Sequence, residues 1–268
     1  MQPREIYVEG IGLWGGRLPG WASARAILRG EADPPAAPLP RPAPALLPQN
    51  ERRRAPDTVA VALEVAASAC AAAGCAPAAL PSVFASAYGD LAMTDAMCEQ
   101  LVRNPLETSP TKFHHSVHNA AAGYWAIATG CLEPYTALAS VEHSFGNGLL
   151  AAAVQALEGT RVLFVAYDVE GRGPIATMAR TRGMLGGAFV LAARATPGSL
   201  ARLTLQVQQA PGARATPVRA ANRVLVEGNV MASCLVLFEA LADAVPRALM
   251  LTLAEHLALE MTVEPVGP

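Results

Sequence analysis

The sequence predicts a layered α/β fold. Three observations carry that prediction. Several short segments are near-continuous apolar runs, such as Val162–Tyr167 (VLFVAY) and Ser82–Ala87 (SVFASA). They alternate with longer segments of helical spacing, such as Asp57–Ala73 and Phe145–Leu157. Glycine and proline separate the two kinds of segment. Strands of this type are buried on both faces, which happens when helices cover both sides of a sheet. The chain has 268 residues, 52% hydrophobic and 16% charged, with a mean hydropathy of +0.29. That is ample for a buried core and leaves apolar surface suited to a subunit interface.

Taken in order, Ile6–Leu13 (IYVEGIGL) reads as a short strand ending in glycines. Trp21–Gly30 has helical spacing and a terminal glycine. Ala32–Pro56 holds seven prolines between Pro34 and Pro48. It is expected to be an extended surface connection without helix, closed by a solvated basic corner at Arg52, Arg53 and Arg54. Asp57–Ala73 is an alanine-rich helix with Asp57 as N-cap and Gly74 as stop. Ser82–Ala87 is a buried strand. Asp90–Arg103 is a helix with Met93, Met97 and Leu101 on one side. Gly123–Thr129 is a short apolar helix after a loop that carries His114, His115 and His118. Tyr135–Val141 is a strand, Phe145–Leu157 a helix and Val162–Tyr167 a strand. Ala188–Ala193 and Leu203–Gln208 are further strands. Asn229–Ala244 is a helix, and Ala248–Ala254 with Leu257–Val263 alternates like a hairpin.

Several function classes are disfavoured. The formal net charge of −2 offers no field for nucleic acid, and 5% aromatics give no base-stacking platform. The five cysteines include no Cys-x-x-Cys pair, which points to reduced thiols in the cytoplasm. No His/Cys set has zinc-ligand spacing, and neither a metal nor another cofactor is expected. No signal-peptide core precedes Tyr7. The longest apolar run, Gly148–Leu157, is interrupted by Gln155 and is too short to span a membrane.

The most informative stretch is Ser109–Gly159, SPTKFHHSVHNAAAGYWAIATGCLEPYTALASVEHSFGNGLLAAAVQALEG. It resembles the central part of the β-ketoacyl synthases, members of the thiolase-like superfamily. There, an Asn/Gly loop precedes a helix, followed by a strand, a sharp turn bearing the nucleophilic cysteine, and a buried helix. Asn119–Gly123, Tyr135–Val141 and Phe145–Gly159 match those parts without a gap. Val8–Gly12, Leu28–Gly30 and Asp57–Gly74 extend the resemblance over roughly the first 195 residues. The SPTKFHHSVHNAAAGYW run is similar to a shortened bacterial subfamily. The resemblance implies a thiolase-like layered fold over 1–200, the N-terminal half of a ketosynthase. A short helix–hairpin extension at 201–268 is expected to pack on the same domain.

The departures from the family pattern bear directly on function. Glu142 stands at the position of the family cysteine. The condensing thiolate attacks an acyl thioester at a helix N-terminus. A carboxylate there is a weak nucleophile and would yield an anhydride. After residue 143 the sequence holds one histidine, His256, and neither the His-Gly-Thr nor the Asn-x-x-Gly-x-Gly-Gly motif of the family. The candidate catalytic set is therefore Glu142 with His143 and Ser144, and it is expected to be inactive. Glu142 also reads simply as a helix-start carboxylate. Ser144 lacks the glycine at 142 that a Gly-x-Ser-x-Gly hydrolase elbow requires. Met93, Met97, Ser116, His118, Asn119 and Phe145 are candidate substrate-binding residues, although a methionine stripe is more often plain core.

By resemblance, the expected role is a non-elongating subunit similar to the chain-length factors. It would pair with an active β-ketoacyl synthase, or with itself, in carrier-protein-dependent fatty acid or polyketide synthesis, with aryl polyenes as the product class of the shortened subfamily. Acyl carrier protein is a further expected partner. Two alternatives stand beside it. One is an acyl-thioester decarboxylase or condensing enzyme completed by a partner. The other is a structural scaffold.

Overall fold

A computed structural model describes residues 2–107, 109–226 and 228–266. The expected outer bounds at residues 1 and 268 lie outside these. The strands are β1 (Arg4–Gly15), β2 (Ser82–Ala85), β3 (Tyr135–Leu138), β4 (Val162–Val169), β5 (Met184–Ala192), β6 (Ala201–Gln209), β7 (Arg247–Ala254) and β8 (Leu257–Pro265). The α-helices are α1 (Trp21–Leu28), α2 (Gln49–Arg54), α3 (Asp57–Ala72), α4 (Leu91–Arg103), α5 (Pro110–Ser116), α6 (Ala120–Thr129), α7 (Ser144–Ala156), α8 (Ala220–Arg223) and α9 (Leu235–Asp243).

All eight strands form one mixed sheet in the order β3-β2-β4-β5-β1-β6-β8-β7. β2 runs parallel to β3 and β4, and the other neighbours are antiparallel. β1 is the pivot. Tyr7–Gly15 pairs with β5, Arg4–Val8 pairs with β6, and the register shifts between Val8 and Gly10. A bulge of this kind bends a strand and increases its twist. The sheet curls: α7 lies on β4, β2 and β5, and also touches β7 at the far edge of the strand order.

One core lies on the α1, α7 and α9 side. Its centre is four aromatic rings: Phe145–Phe164 at 5.6 Å, Phe164–Phe189 at 6.3 Å and Phe189–Phe238 at 4.8 Å between centroids. Burying a ring of this size stabilises by roughly 1.5–3 kcal/mol. The second core lies under α3 and α6 and includes Trp125 and Tyr167. Close contact with the α3 backbone accounts for the glycines of β1. A Cβ on Gly10 would sit 2.1 Å from the Ala69 carbonyl, and one on Gly12 would sit 2.0 Å from that of Val65. Only glycine lets β1 lie directly on the α3 backbone.

Five local expectations need correction. The proline-rich connection does contain a helix, α2, which begins directly after Pro48. Its sequence QNERRR has no proline and several good helix formers, so Arg52, Arg53 and Arg54 sit in its last turn. Asp57 is the first residue of α3, not its cap, which is Pro56. Its carboxylate instead meets Arg41 Nε at 2.6 Å. His114 and His115 lie on α5, where Ser109 accepts a capping bond from Lys112 N and Pro110 opens the helix. Asn119–Gly123 is not a loop throughout, since α6 starts at Ala120. The Asn229–Ala244 helix is a 3-10 segment at Val230–Cys234 followed by α9.

Candidate functional site

The strand-to-helix turn between β3 and α7 holds Glu142. The chain leaves β3 at Leu138 and makes a 3-10 turn at Val141–His143 before α7 begins at Ser144. Val141 has φ of 45°, in the left-handed region. For a β-branched residue this is a strained conformation, costing on the order of 1–3 kcal/mol. Hydrogen bonds hold it. Ser140 N donates to Ser144 Oγ at 2.9 Å, and Ser144 Oγ donates to the Val141 carbonyl at 2.7 Å. The Asn147 amide is shared among Ser140 Oγ, the His143 carbonyl and the Leu253 carbonyl at 2.9–3.2 Å. His143 Nδ1 lies 3.0 Å from Thr252 Oγ1, so β7 braces the turn. The Glu142 side chain is 69% exposed, 3.9 Å from His143 Nε2.

A second loop, from Ser86 to Asp90, stands beside this elbow. Glu142 and Asp168 are both close enough to Tyr88 for their charge to raise the phenol pKa, after the larger effect of burial. Asp168 is the penultimate residue of β4 and is fully buried. Its carboxyl takes bonds from Ser86 Oγ at 3.0 Å, Ala87 N at 2.8 Å and Tyr88 N at 3.3 Å. Burial pushes it up to about 7, against the lowering effect of those three bonds. His118 Nε2 meets the Ser86 carbonyl at 2.9 Å, so His118 belongs to this neighbourhood. Sequence reasoning missed Ser86, Tyr88 and Asp168. The available signal was a single carboxylate closing an otherwise apolar strand, VLFVAYDV.

Ser144 and Phe145 are buried, the first within the turn and the second in the aromatic core. Asn119 Nδ2 donates to the Tyr135 hydroxyl at 3.2 Å, reaching β3. Ser116 Oγ binds the Phe113 carbonyl at the end of α5, apart from the elbow. Met97 is buried. Met93 lines a cavity of about 230 Å³ with Thr58, Asp90, Arg54 and Arg172. An apolar pocket of about 440 Å³ lies under Leu46, Leu47, Ile127 and Tyr124. Glu142 lines neither. Among the described residues no cluster of three His, Cys, Asp or Glu is gathered as for a metal ion. All five cysteines are free, and burial raises the thiol pKa of Cys70 and Cys234.

Chemically, the elbow presents one carboxylate at the start of a buried helix, where the helix dipole favours negative charge. The neighbouring hydroxyl of Ser144 is spent on the turn. The Glu142 carboxylate is the functional group the turn offers to solvent.

A family model described as "Beta-ketoacyl synthase, N-terminal domain" matches residues 21–239. No curated sequence matches the chain. Solved structures do. A chain from "Ketosynthase (ApeO) in Complex with its Chain Length Factor (ApeC)" of Xenorhabdus doucetiae superposes with a TM-score of 0.72 at 18% identity, covering 96% of this chain and 98% of that one. A chain from the ishigamide ketosynthase/chain length factor gives 0.70 at 15%, covering 98% and 99%. A chain from AntDE:AntF, a type II acyl-carrier protein in complex with its ketosynthase, gives 0.74 at 9%, covering 99% and 100%. Identities this low speak for the fold, which is thiolase-like. With the family model spanning most of its length, the chain belongs to the β-ketoacyl synthase N-terminal-domain family.

Proposed function

We propose that this chain is a non-elongating, chain-length-factor-like subunit. It pairs with a cysteine-bearing β-ketoacyl synthase in carrier-protein-dependent synthesis of fatty acids or polyketides, with aryl polyenes as the favoured class, in the cytoplasm. The observation that carries this reading is the elbow itself. The strained turn is fully built and braced, and it carries the exposed Glu142 carboxylate where the resemblance expects the family thiol. Within the 268 residues the enolate-stabilising histidine motifs are also missing. Two neighbours in the same fold come from structures of ketosynthases with their chain length factors, and a third from a complex with acyl carrier protein.

The proposed pairing edge is β3. It ends the strand order, and Tyr135 and Thr136 are exposed. Ile127, Leu132 and Val154 add exposed apolar side chains from α6, the loop after it and α7. A strand edge of this kind calls for a cover. Residues 201–268 are proposed as an extension of the first 200 residues, because β6, β8 and β7 continue the same sheet.

The test mixes purified chain with acyl- and malonyl-loaded carrier protein. Neither acyl transfer to the chain nor condensation is expected. Glu142→Cys is expected to gain acyl labelling at the new thiol but still no condensation, since the family's enolate-stabilising histidine motifs are not found in the 268 residues. Condensation by the unaltered chain, lost on Glu142→Ala, would overturn the reading in favour of an enzyme.

A further inference from the structure

The C-terminal end of α3 brings two cysteines together. Cys70 lies in the last turn of the helix, and Cys75 follows the Gly74 stop. Gly74 has φ of 60°, the left-handed conformation that ends a helix. Two bonds close the end: Cys75 N donates to the Cys70 carbonyl at 3.1 Å, and Gly74 N donates to the Ala71 carbonyl at 3.2 Å. A helix end of this pattern sets its first and last side chains against each other, and here both are thiols. The Cys75 thiol points to the Cys70 carbonyl at 3.6 Å, and the Cys70 thiol bonds the Cys75 sulfur. The backbone bond between the two residues themselves holds their α-carbons close, as a disulfide requires: about 4.4–6.8 Å.

The two thiols differ in access. Cys70 is 1% exposed, whereas Cys75 is half-buried, so a reagent in solution meets Cys75 first. Burial raises the Cys75 pKa. The Cys70 hydrogen bond and the Arg161 guanidinium, just before β4, oppose that rise and favour the thiolate, the form that exchanges. The other cysteines are set apart. Cys98 is exposed on α4, and Cys234 lies in the other core. Cys131 is the rival partner. It is near enough for its charge to act on Cys70, but its thiol is turned to the Leu80 carbonyl at 3.5 Å.

We propose that Cys70 and Cys75 form a reversible thiol-modification site, which low-molecular-weight disulfides of the glutathione class convert to an intrachain disulfide. Cys75 gives its proton to water, and its thiolate attacks one sulfur of the glutathione disulfide. A mixed disulfide forms on Cys75, and one glutathione leaves as its thiolate. Cys70 then loses its proton, attacks the Cys75 sulfur and expels the second glutathione. Two protein thiols are oxidised, and one glutathione disulfide is reduced to two thiols. The resting pair is reduced, with both cysteines free. The site is independent of the elbow and of the pairing role, since it depends only on the end of α3.

The test places the full, reduced chain in a buffer of reduced and oxidised glutathione without denaturant. Remaining thiols are then blocked, and cleavage before Asp57 and Asp90 releases a peptide that holds Cys70 and Cys75 and no other cysteine. That peptide should escape blocking and lose about 2 Da, the two thiol hydrogens, and dithiothreitol should reverse both. Exposed Cys98 should carry a glutathione instead. In Cys70→Ala, Cys75 should keep the mixed disulfide that the unaltered chain resolves. In Cys75→Ala, Cys70 should remain a thiol. Should either variant fail to fold, the peptide mass of the unaltered chain decides. A pair that closes only in denaturant, a disulfide from either cysteine to Cys131, or a mixed disulfide that persists on Cys75 of the unaltered chain would each overturn the site.

Discussion

Glu142 and Gly148 lie six residues apart and answer to different forces. The Glu142 side chain is 69% exposed, with the His143 ring nitrogen 3.9 Å away. Glu142→Ala should change stability by less than about 0.5 kcal/mol, measured by denaturant unfolding. Gly148 sits in α7 where a Cβ would meet the Phe164 ring at 2.6 Å and Ala85 Cβ at 2.7 Å. Gly148→Ala should therefore cost about 1–3 kcal/mol through overpacking. That Glu142 lies on the strand-to-helix turn was legible in the sequence, because the spacing from Gly123 to Gly159 placed it there. The second wall of the site was not. Asp168 and Tyr88 are 80 residues apart in sequence and meet because β2 and β4 are paired neighbours. Strand pairing of that kind leaves no local pattern to read.

At the scale of elements, apolar runs and glycine stops marked the strands and helices well, since burial and backbone freedom are local demands. Boundaries failed where a competing partner was distant. Asp57 looked like a cap, but Arg41 holds its carboxylate from the proline-rich connection. That connection is anchored by Leu47, 4% exposed. Leu47→Ala should destabilise by about 2–5 kcal/mol, read as a lower unfolding midpoint. The edge strand separates two effects that an assembly assay alone would confuse. Leu138 packs partly against the first core, whereas Thr136 is exposed. Thr136→Asp should abolish pairing with little change in thermal midpoint. Leu138→Asp should lower the midpoint as well, and calorimetry beside an assembly measurement distinguishes the two.

For the whole molecule, one curled sheet ties the β3 edge, the elbow and the β7–β8 hairpin into a single unit, because α7 touches both ends of it. The curl was not legible in advance, as it depends on the bulge in β1 and on which strands β1 pairs with at each end. Global stability should carry the signature of Asp168. Its folded pKa, about 7, lies above the ordinary carboxylate value of 3.8. A raised pKa gives stability that is full below about 4 and is lost as pH rises through about 7. The thermal midpoint should thus fall between pH 5 and pH 8, and Asp168→Asn should flatten that slope.

The central claim is that this chain serves as the non-elongating half of a pair. Co-expression with a cysteine-bearing synthase from the same genome, followed by native mass measurement after loading with acyl-carrier thioester, tests it most directly. The account predicts a one-to-one complex in which the acyl group sits on the partner and the mass of this chain is unchanged. A stable monomer that ignores the synthase, or an acyl adduct on this chain, would contradict it.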